Sequence, residues 1–508
     1  MGLPWKNRNS CARLTVRRRA VSIVFALQVW LLPWVGAVHG AGQPEPTQNP
    51  LRGAWSGILR YGDETRAISL RFSLDEKQSQ VVFVDAPDLK FHNLGPIHVK
   101  QTEGGYQAYQ FSFRLTPDRR SLSGEWSFDG HVLPFELVPG ELQAPVASTA
   151  AVGRVATPVW TFKTGGPIWS SPAARDHMVY FGSNDGSIYA LRANSGKSVW
   201  RFETKGPVMG SPTVDRRFLY VLSDDGFLYK LKRASGTLVW KFDTNGGKTA
   251  RDMVGSESGG YDTQTSAPVV VDGTVYVGSA DNRLYAIAAD SGRERWHFET
   301  QGIVRSAPAV SDGVVFFGSR DHNLYAVDAS TGSMKWRVDT LKEVVSAPLV
   351  NKGTVYIGSR SSDLFALDAA TGGVKWKNFY WSSWVESSAR IRDGILYIGS
   401  SDAQQLYAID SRSGRRIWAF DTNGSPWSTP AVTKRHVFIG AAGVEHYFID
   451  HRGGFFAVDR ITGKEIWRFP MPAVANSSTS GVASSPVVQD KMVFFGGLDG
   501  VFYAFAEE

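Results

Sequence analysis

Apolar and polar residues alternate along two long stretches of this chain, in runs of strand length. From Leu51 to about Pro139, the runs GAWSGILRYG, TRAISLRFSL, SQVVFVDA, YQAYQFSFRLT, SLSGEWSFDG and HVLPFELVPG each predict one strand. Gly62-Asp63, Gly104-Gly105, Pro117-Asp118 and Asp129-Gly130 supply turns between them. Such a set predicts a small antiparallel barrel or sandwich, with Trp55 and Trp126 in its core. Glu141–Pro158 loses the alternation and reads as a linker. Beyond it the alternation returns with a fixed period.

Ser306–Trp336 reads SAPAVSDGVVFFGSRDHNLYAVDASTGSMKW, and Ser346–Trp376 reads SAPLVNKGTVYIGSRSSDLFALDAATGGVKW. Forty residues separate Trp296 from Trp336, and forty more separate Trp336 from Trp376. A period of this size marks a repeat architecture. The tryptophans are Trp160, Trp200, Trp240, Trp296, Trp336, Trp376, Trp418 and Trp467, and from Trp200 onward each follows a glycine by four residues. A proline opens each following unit, with Ala389 in its place once, and a glycine stands ten residues later except at Leu222. That makes eight units.

Each unit predicts four strands: A (SPAV), B (VYFGS), C (LYALDA) and D, which carries the tryptophan. Tight turns join A to B and B to C, and A-x-T-G joins C to D, where glycine supplies the positive φ of a hairpin. Four-stranded sheets repeated radially form a β-propeller. Trp160 has a D strand with no A, B or C before it, whereas Ser485–Phe505 has A, B and C with no D. Pairing the first D strand with the last C strand closes the ring and leaves no broken blade edge. The expected fold is thus all-β: an eight-bladed propeller of four-stranded blades over 158–508, preceded by the small β domain over 51–139, with linkers at 41–50 and 140–157. The eight tryptophans are expected to wedge between neighbouring sheets.

Composition adds little to the fold and more to the compartment. The formal charge is +7, but residues 1–40 hold six basic residues and no acidic one, which leaves +1 for the rest. A nucleic-acid binder keeps its basic surface in the folded domain, so nucleic acid is not an expected partner. The leader runs from a basic segment ending at Arg19, through the apolar run Ala20–Val38, to the small residues around Gly40 and Ala41. That order is a cleavable secretory signal, which predicts a periplasmic protein not embedded in the membrane afterwards. No cysteine follows the apolar run to carry a lipid anchor. Cys11 is the one cysteine and falls in the segment to be removed, so disulfides, thiolate metal sites and Cys nucleophiles are excluded from the mature protein.

The combination A-x-T-G-x-x-x-W with Y-x-G-S and L-Y-A-L resembles the pyrroloquinoline quinone (PQQ) repeat family, over about Thr157–Glu508. The resemblance implies the eight-bladed fold. It also implies one of two functions, since the family holds quinoprotein dehydrogenases and cofactor-free, BamB-like propellers. The dehydrogenases typically carry adjacent cysteines over the cofactor, a calcium site and a catalytic Asp. Here the cysteine pair is absent, no calcium site aligns, and no C-x-x-C-H haem motif occurs.

Departures from the period locate candidate residues. The spacing from D-strand Trp to the next Pro is 12 in most units, but 28 from Trp240 to Pro268 and 19 from Trp467 to Pro486. Unit seven also lengthens its B–C turn over Ala441–Gly454, and all three insertions fall on one face. The first, Asn245–Gln264, carries Lys248, Arg251, Asp252, Glu257, Tyr261 and Asp262. The unit-seven turn holds Glu445, His446, Asp450 and His451, in a spacing that matches no metal motif. Among the mostly small residues of the inner rim stand Trp169, Arg305, Trp381, Trp384, Glu386 and Trp427. Arg390 occupies an A-strand position held elsewhere by Ala, Thr, Val or Leu, and such an arginine can take a carboxylate. The leading expectation is a non-catalytic binding or scaffold protein that engages an envelope protein, peptide or polymer on the inserted-loop face, with no cofactor and no metal. The alternative is a PQQ- and calcium-dependent oxidoreductase with an atypical site near Arg305, Glu386 and Arg390.

Overall fold

The structure is a computed structural model that describes residues 50–142 and 153–508, except 63, 90, 129, 249–250, 252, 254–260, 382, 445–451 and 475–476. The expected leader, with Cys11, lies outside the described residues, as do Asp252, Glu257, Glu445, His446, Asp450 and His451. No helix among the described residues is long and apolar enough to cross a membrane.

The amino-terminal domain is one antiparallel sheet of nine strands, three more than the alternation predicts. They are β1 (Gly53–Tyr61), β2 (Glu64–Leu74), β3 (Gln80–Ala86), β4 (Phe91–His98), β5 (Lys100–Thr102), β6 (Gly105–Ala108), β7 (Phe111–Leu115), β8 (Leu122–Phe128) and β9 (His131–Pro139). Their order, β4-β3-β2-β1-β9-β8-β7-β6-β5, curls into a nearly closed barrel. Two strands were hidden from the sequence for physical reasons. β4 contains Gly95 and Pro96 and lies at the sheet edge, where proline is tolerated because its missing N–H faces no partner. β5 is only three residues long. The run YQAYQFSFRLT divides into β6 and β7 at Tyr109, whose φ is 51°. Alternate residues of β9 point inward (His131, Leu133, Phe135, Leu137), and Trp55 and Trp126 are buried with them.

Eight blades follow. Blade 4, over Ser306–Trp336, shows the pattern: A (Ala309–Ser311), B (Val314–Gly318), C (Asn323–Asp328) and D (Met334–Asp339), paired in that order. The ring closes as the repeat count requires. The first D strand, Trp160–Lys163, pairs antiparallel with Val501–Ala506, Trp160 opposite Ala504 and Lys163 opposite Val501. A further short strand, β10 (Arg154–Val155), lies parallel on the outer edge of blade 7 beside Glu465–Pro470.

Three periodic contacts join neighbouring blades. Seven of the eight D-strand Trp pack on the C–D turn glycine of the next blade and donate their Nε1–H to a carbonyl there, as Trp336 does to Ala369 at 3.1 Å. A Cβ on Gly372 would stand 2.9 Å from the Trp336 ring, and its φ is +75°, so two demands coincide on one residue. Trp160, Trp200, Trp240, Trp296, Trp376 and Trp418 repeat the bond. Trp467 does not, because blade 8 has no C–D turn; it stacks on Phe505 at 5.4 Å. The B-strand glycine gives room to an aliphatic residue of the next D–A loop, as Gly318 does to Val344. The serine two before the proline is the third link: Ser306 Oγ donates to the Ser346 carbonyl at 2.7 Å, and Ser387 does the same to Ser428 at 2.8 Å.

The barrel docks on blade 5. Phe379 and Trp381, from the end of its D strand, enter the barrel core. Trp381 Nε1–H donates to Glu64 at 2.9 Å, and Arg66 lies over its ring at 4.7 Å. His131 Nε2 and Asp363 Oδ2 approach to 3.0 Å with both side chains buried, and Phe379 lies against the imidazole at 4.0 Å.

Candidate functional site

The described parts of the three insertions meet over one mouth of the propeller channel and form a cap. In blade 7 the B strand extends to His436–Val444, and its last residues pair with Thr479–Gly481 from the insertion before blade 8. Val444 and Ala442 join Trp169, Met209, Trp427 and Leu498 in a small apolar core, against which Met253 and Tyr261 of the first insertion pack. Trp169 and Trp427 stack at 6.3 Å with 19° between their planes, and Trp427 Nε1–H donates to Ser401 at 2.9 Å. Insertions on separate blades thus act as one element.

Charge pairs fasten the cap to the blades. Asp262 is 2% exposed and receives the Arg305 fork on both carboxylate oxygens, Nε–H at 2.8 Å. Arg320 and Arg251 approach the same carboxylate at 3.3 and 3.7 Å. Burial alone would raise the Asp262 pKa, but the Arg305, Arg251 and Arg320 guanidiniums hold it below its ordinary value. Arg251 also clasps Asp224 with two N–H groups, at 2.5 and 2.7 Å, and donates to the Asp262 and Gln264 carbonyls. Arg360 donates to Glu386 at 2.6 Å and to the Tyr261 carbonyl at 2.7 Å, with its guanidinium 4.6 Å over the Trp384 ring. Tyr261 meets the same ring edge-on. Arg251, Arg305 and Arg360 are each paired with an acid inside the protein, which is the arrangement a buried cation requires.

The sequence-predicted residues therefore separate into four groups. Trp169, Arg251, Asp262, Arg305, Trp384, Glu386 and Trp427 belong to the cap or its fastening. Trp381 lies apart from them, within the barrel interface. Lys248 ends a short 3₁₀ turn, Gly246–Lys248, at the foot of the first insertion. Arg390 stands on the innermost strand of blade 6, Arg390–Arg392. Arg320, Arg360 and Asp224 were not singled out. They sit in B–C turns whose sequences look ordinary, and only the fold brings them under the insertion.

Beneath the cap lies a cavity of ≈ 50 Å³ lined by Trp169, Trp427, Glu386 and a series of hydroxyls. It is large enough for a few waters. A tricyclic quinone needs a pocket of about 300 Å³ or more, and Arg305, Arg251 and Arg360 already hold Asp262, Asp224 and Glu386. The cavity formed by the described residues does not fit PQQ. Among the described residues no three His, Cys, Asp or Glu side chains are grouped to hold a metal.

Comparison with known proteins agrees with this architecture. The family profile for outer membrane protein assembly factor BamB, a PQQ-repeat family, matches residues 148–263, 255–376 and 341–507. The chain belongs to this family. BamB from Moraxella catarrhalis superposes with a TM-score of 0.52 at 18% identity, covering 69% of this chain and 98% of that one. A computationally designed protein, Ika8, gives 0.53 at 17% identity, covering 70% and 100%. Such likenesses carry the fold alone. In sequence, quinohemoprotein alcohol dehydrogenase ADH-IIG of Pseudomonas putida is 35% identical over 91 residues, which are 17% of this chain and 12% of the dehydrogenase. That match spans about two blades of a much longer protein.

Proposed function

We propose that this chain is a non-catalytic periplasmic propeller that binds an envelope protein, peptide or polymer on its capped face. The observation that carries the reading is the cap. Three insertions are invested in closing the channel mouth, with Arg251, Arg305 and Arg360 committed to internal carboxylates. The barrel is held beside this cap on blade 5. Loops fixed on a rigid scaffold are the usual place for recognition. Membership in the family of an outer membrane protein assembly factor supports an envelope partner.

The competing reading, a PQQ-dependent oxidoreductase, draws on the dehydrogenase match. Titration of the purified full chain with PQQ and calcium, followed by absorbance and dye reduction, separates the two. No binding up to millimolar cofactor is the expected result, and stoichiometric binding with turnover overturns the proposal. Affinity capture from an envelope fraction is then expected to yield a reproducible partner, lost when Asn245–Gln264 is shortened. A partner retained by that variant places recognition away from the cap.

A further inference from the structure

Five consecutive blades carry a hydroxyl two residues before the A strand: Ser388, Thr429, Ser485, Ser171 and Ser211, on blades 6, 7, 8, 1 and 2. Blades 3, 4 and 5 have Ala267, Ala307 and Ala347 there. All five hydroxyls line the cavity under the cap. Four of them accept a backbone N–H from the neighbouring blade: Ser211 from Ser171 (3.0 Å), Ser388 from Ala347 (2.8 Å), Ser485 from Thr429 (2.8 Å) and Ser171 from Ser485 (2.8 Å). Each thus uses its oxygen as an acceptor, and none donates its proton to a described group of the protein. The result is an arc of O–H donors facing the channel on one half of the ring.

Arg390 follows Ser388 by two residues on the same inner chain, the spacing that returns a side chain to one face of a strand. Its seven counterparts are Ala173, Thr213, Val269, Ala309, Leu349, Ala431 and Val487. The side chain is exposed, and no charged group of the described residues acts on it. On an innermost strand, water reaches a side chain through the channel, so Arg390 projects into it. Among the described residues it has no hydrogen-bond or ion-pair partner, unlike Arg251, Arg305 and Arg360 above it. An arginine stays charged in a protein, and this one receives no counter-charge from the described residues.

We propose that the channel binds a small oxyanion, a carboxylate or phosphate group, between the Arg390 guanidinium and the hydroxyl arc. The guanidinium fork receives two oxygens, and the serine protons take the remaining lone pairs. Glu386 sets the position of the site. Its Oε2 is buried at the edge of the same cavity without a hydrogen bond, so an anion is held away from it and toward Arg390. The site does not rest on the scaffold reading. A free inorganic ion and the carboxylate end of a peptide share this chemistry.

Calorimetric titration of the full-length protein at low ionic strength distinguishes them, using sodium phosphate, sodium acetate, and one tetrapeptide with a free or an amidated carboxyl end. Saturable binding of one equivalent is expected from phosphate or acetate, or from the free-ended peptide but not its amide. Arg390→Leu, which copies Leu349, is expected to weaken that binding by about 10- to 100-fold. At low ionic strength it should melt at or above the wild-type temperature, which separates loss of the site from loss of the fold. Arg390→Lys keeps the charge without the fork, and intermediate binding there supports two-point contact. Absence of saturable binding by every probe overturns the proposal, as does equal binding by wild type and Arg390→Leu.

Discussion

Blades 4 and 5 are nearly the same sentence in sequence and do different work in the molecule. In blade 4 the B–C turn reads Arg320-Asp321-His322-Asn323. Asp321 accepts the Tyr325 hydroxyl at 2.8 Å and the Gln301 N–H at 2.9 Å, which ties the turn to its own blade and to the loop beside it. The tyrosine bond recurs at Asp185, Asp225, Asp281 and Asp499. Blade 5 reads Arg360-Ser361-Ser362-Asp363, with Phe365 in place of the tyrosine. The staple is gone, and the carboxylate moves two residues on to meet His131 of the barrel. Both turns begin with arginine. Arg320, 21% exposed, reaches Asp262 at 3.3 Å, whereas Arg360, 8% exposed, is bound to Glu386. A repeat protein can thus change one blade from a spacer into a docking site by moving a single acid along a turn, because the strands around it hold their positions.

Both blades depend on the closed ring, so removal of residues 158–166 has the largest expected effect. The propeller should lose its cooperative melt, and an unchanged melting temperature would sink the closure argument. Next in size is Asp262→Ala, which leaves Arg305 buried without its acid and should cost about 3–5 kcal/mol by chemical denaturation. Asp262→Asn also tests the pH dependence. Because the folded pKa lies below the unfolded value, the stabilisation is complete above the ordinary carboxylate range and is lost as pH falls through the folded pKa. The stability gap between wild type and Asp262→Asn is therefore constant near neutrality and shrinks in acid.

Asp363→Asn makes blade 5 resemble blade 4 at this position, where Asn323 stands. It should cost about 1.5–3 kcal/mol, the range for a hydrogen bond to a charged group. Limited proteolysis in 140–157 should quicken while the propeller stays folded. Equal proteolysis in the two proteins would show that Phe379 and Trp381 suffice for docking. Gly332→Ala and Gly372→Ala meet the same indole contact and the same positive φ in both blades, near 75°. Each is expected to cost about 1–3 kcal/mol, and unequal costs would show that the two blade interfaces differ. The smallest effect, about 1 kcal/mol, belongs to Asp321→Ser, which removes one staple from blade 4.

Much of the candidate site was visible as departure from the period. The 28-residue spacing exposed Arg251 and Asp262, and the A-strand column exposed Arg390. The role of Trp381 was not visible, because its partners Glu64 and Arg66 lie more than 300 residues earlier in the chain. Nor was the second role of the C–D glycine, beyond its positive φ: in sequence it precedes its own blade's Trp by four residues, but in space it holds the Trp of the blade before.

The sequence alone determined the eight blades, their four strands and the closure of the ring. Those features repeat, and a repeated contact leaves the same residue at the same interval each time. Tertiary structure decided which arginines are bound and which one is not. Arg251, Arg305 and Arg360 are matched by acids brought from other blades and from an insertion, and Arg390 stands where no acid arrives. Ion pairing depends on distances of a few ångströms between residues remote in the chain, and no interval along the sequence records those distances.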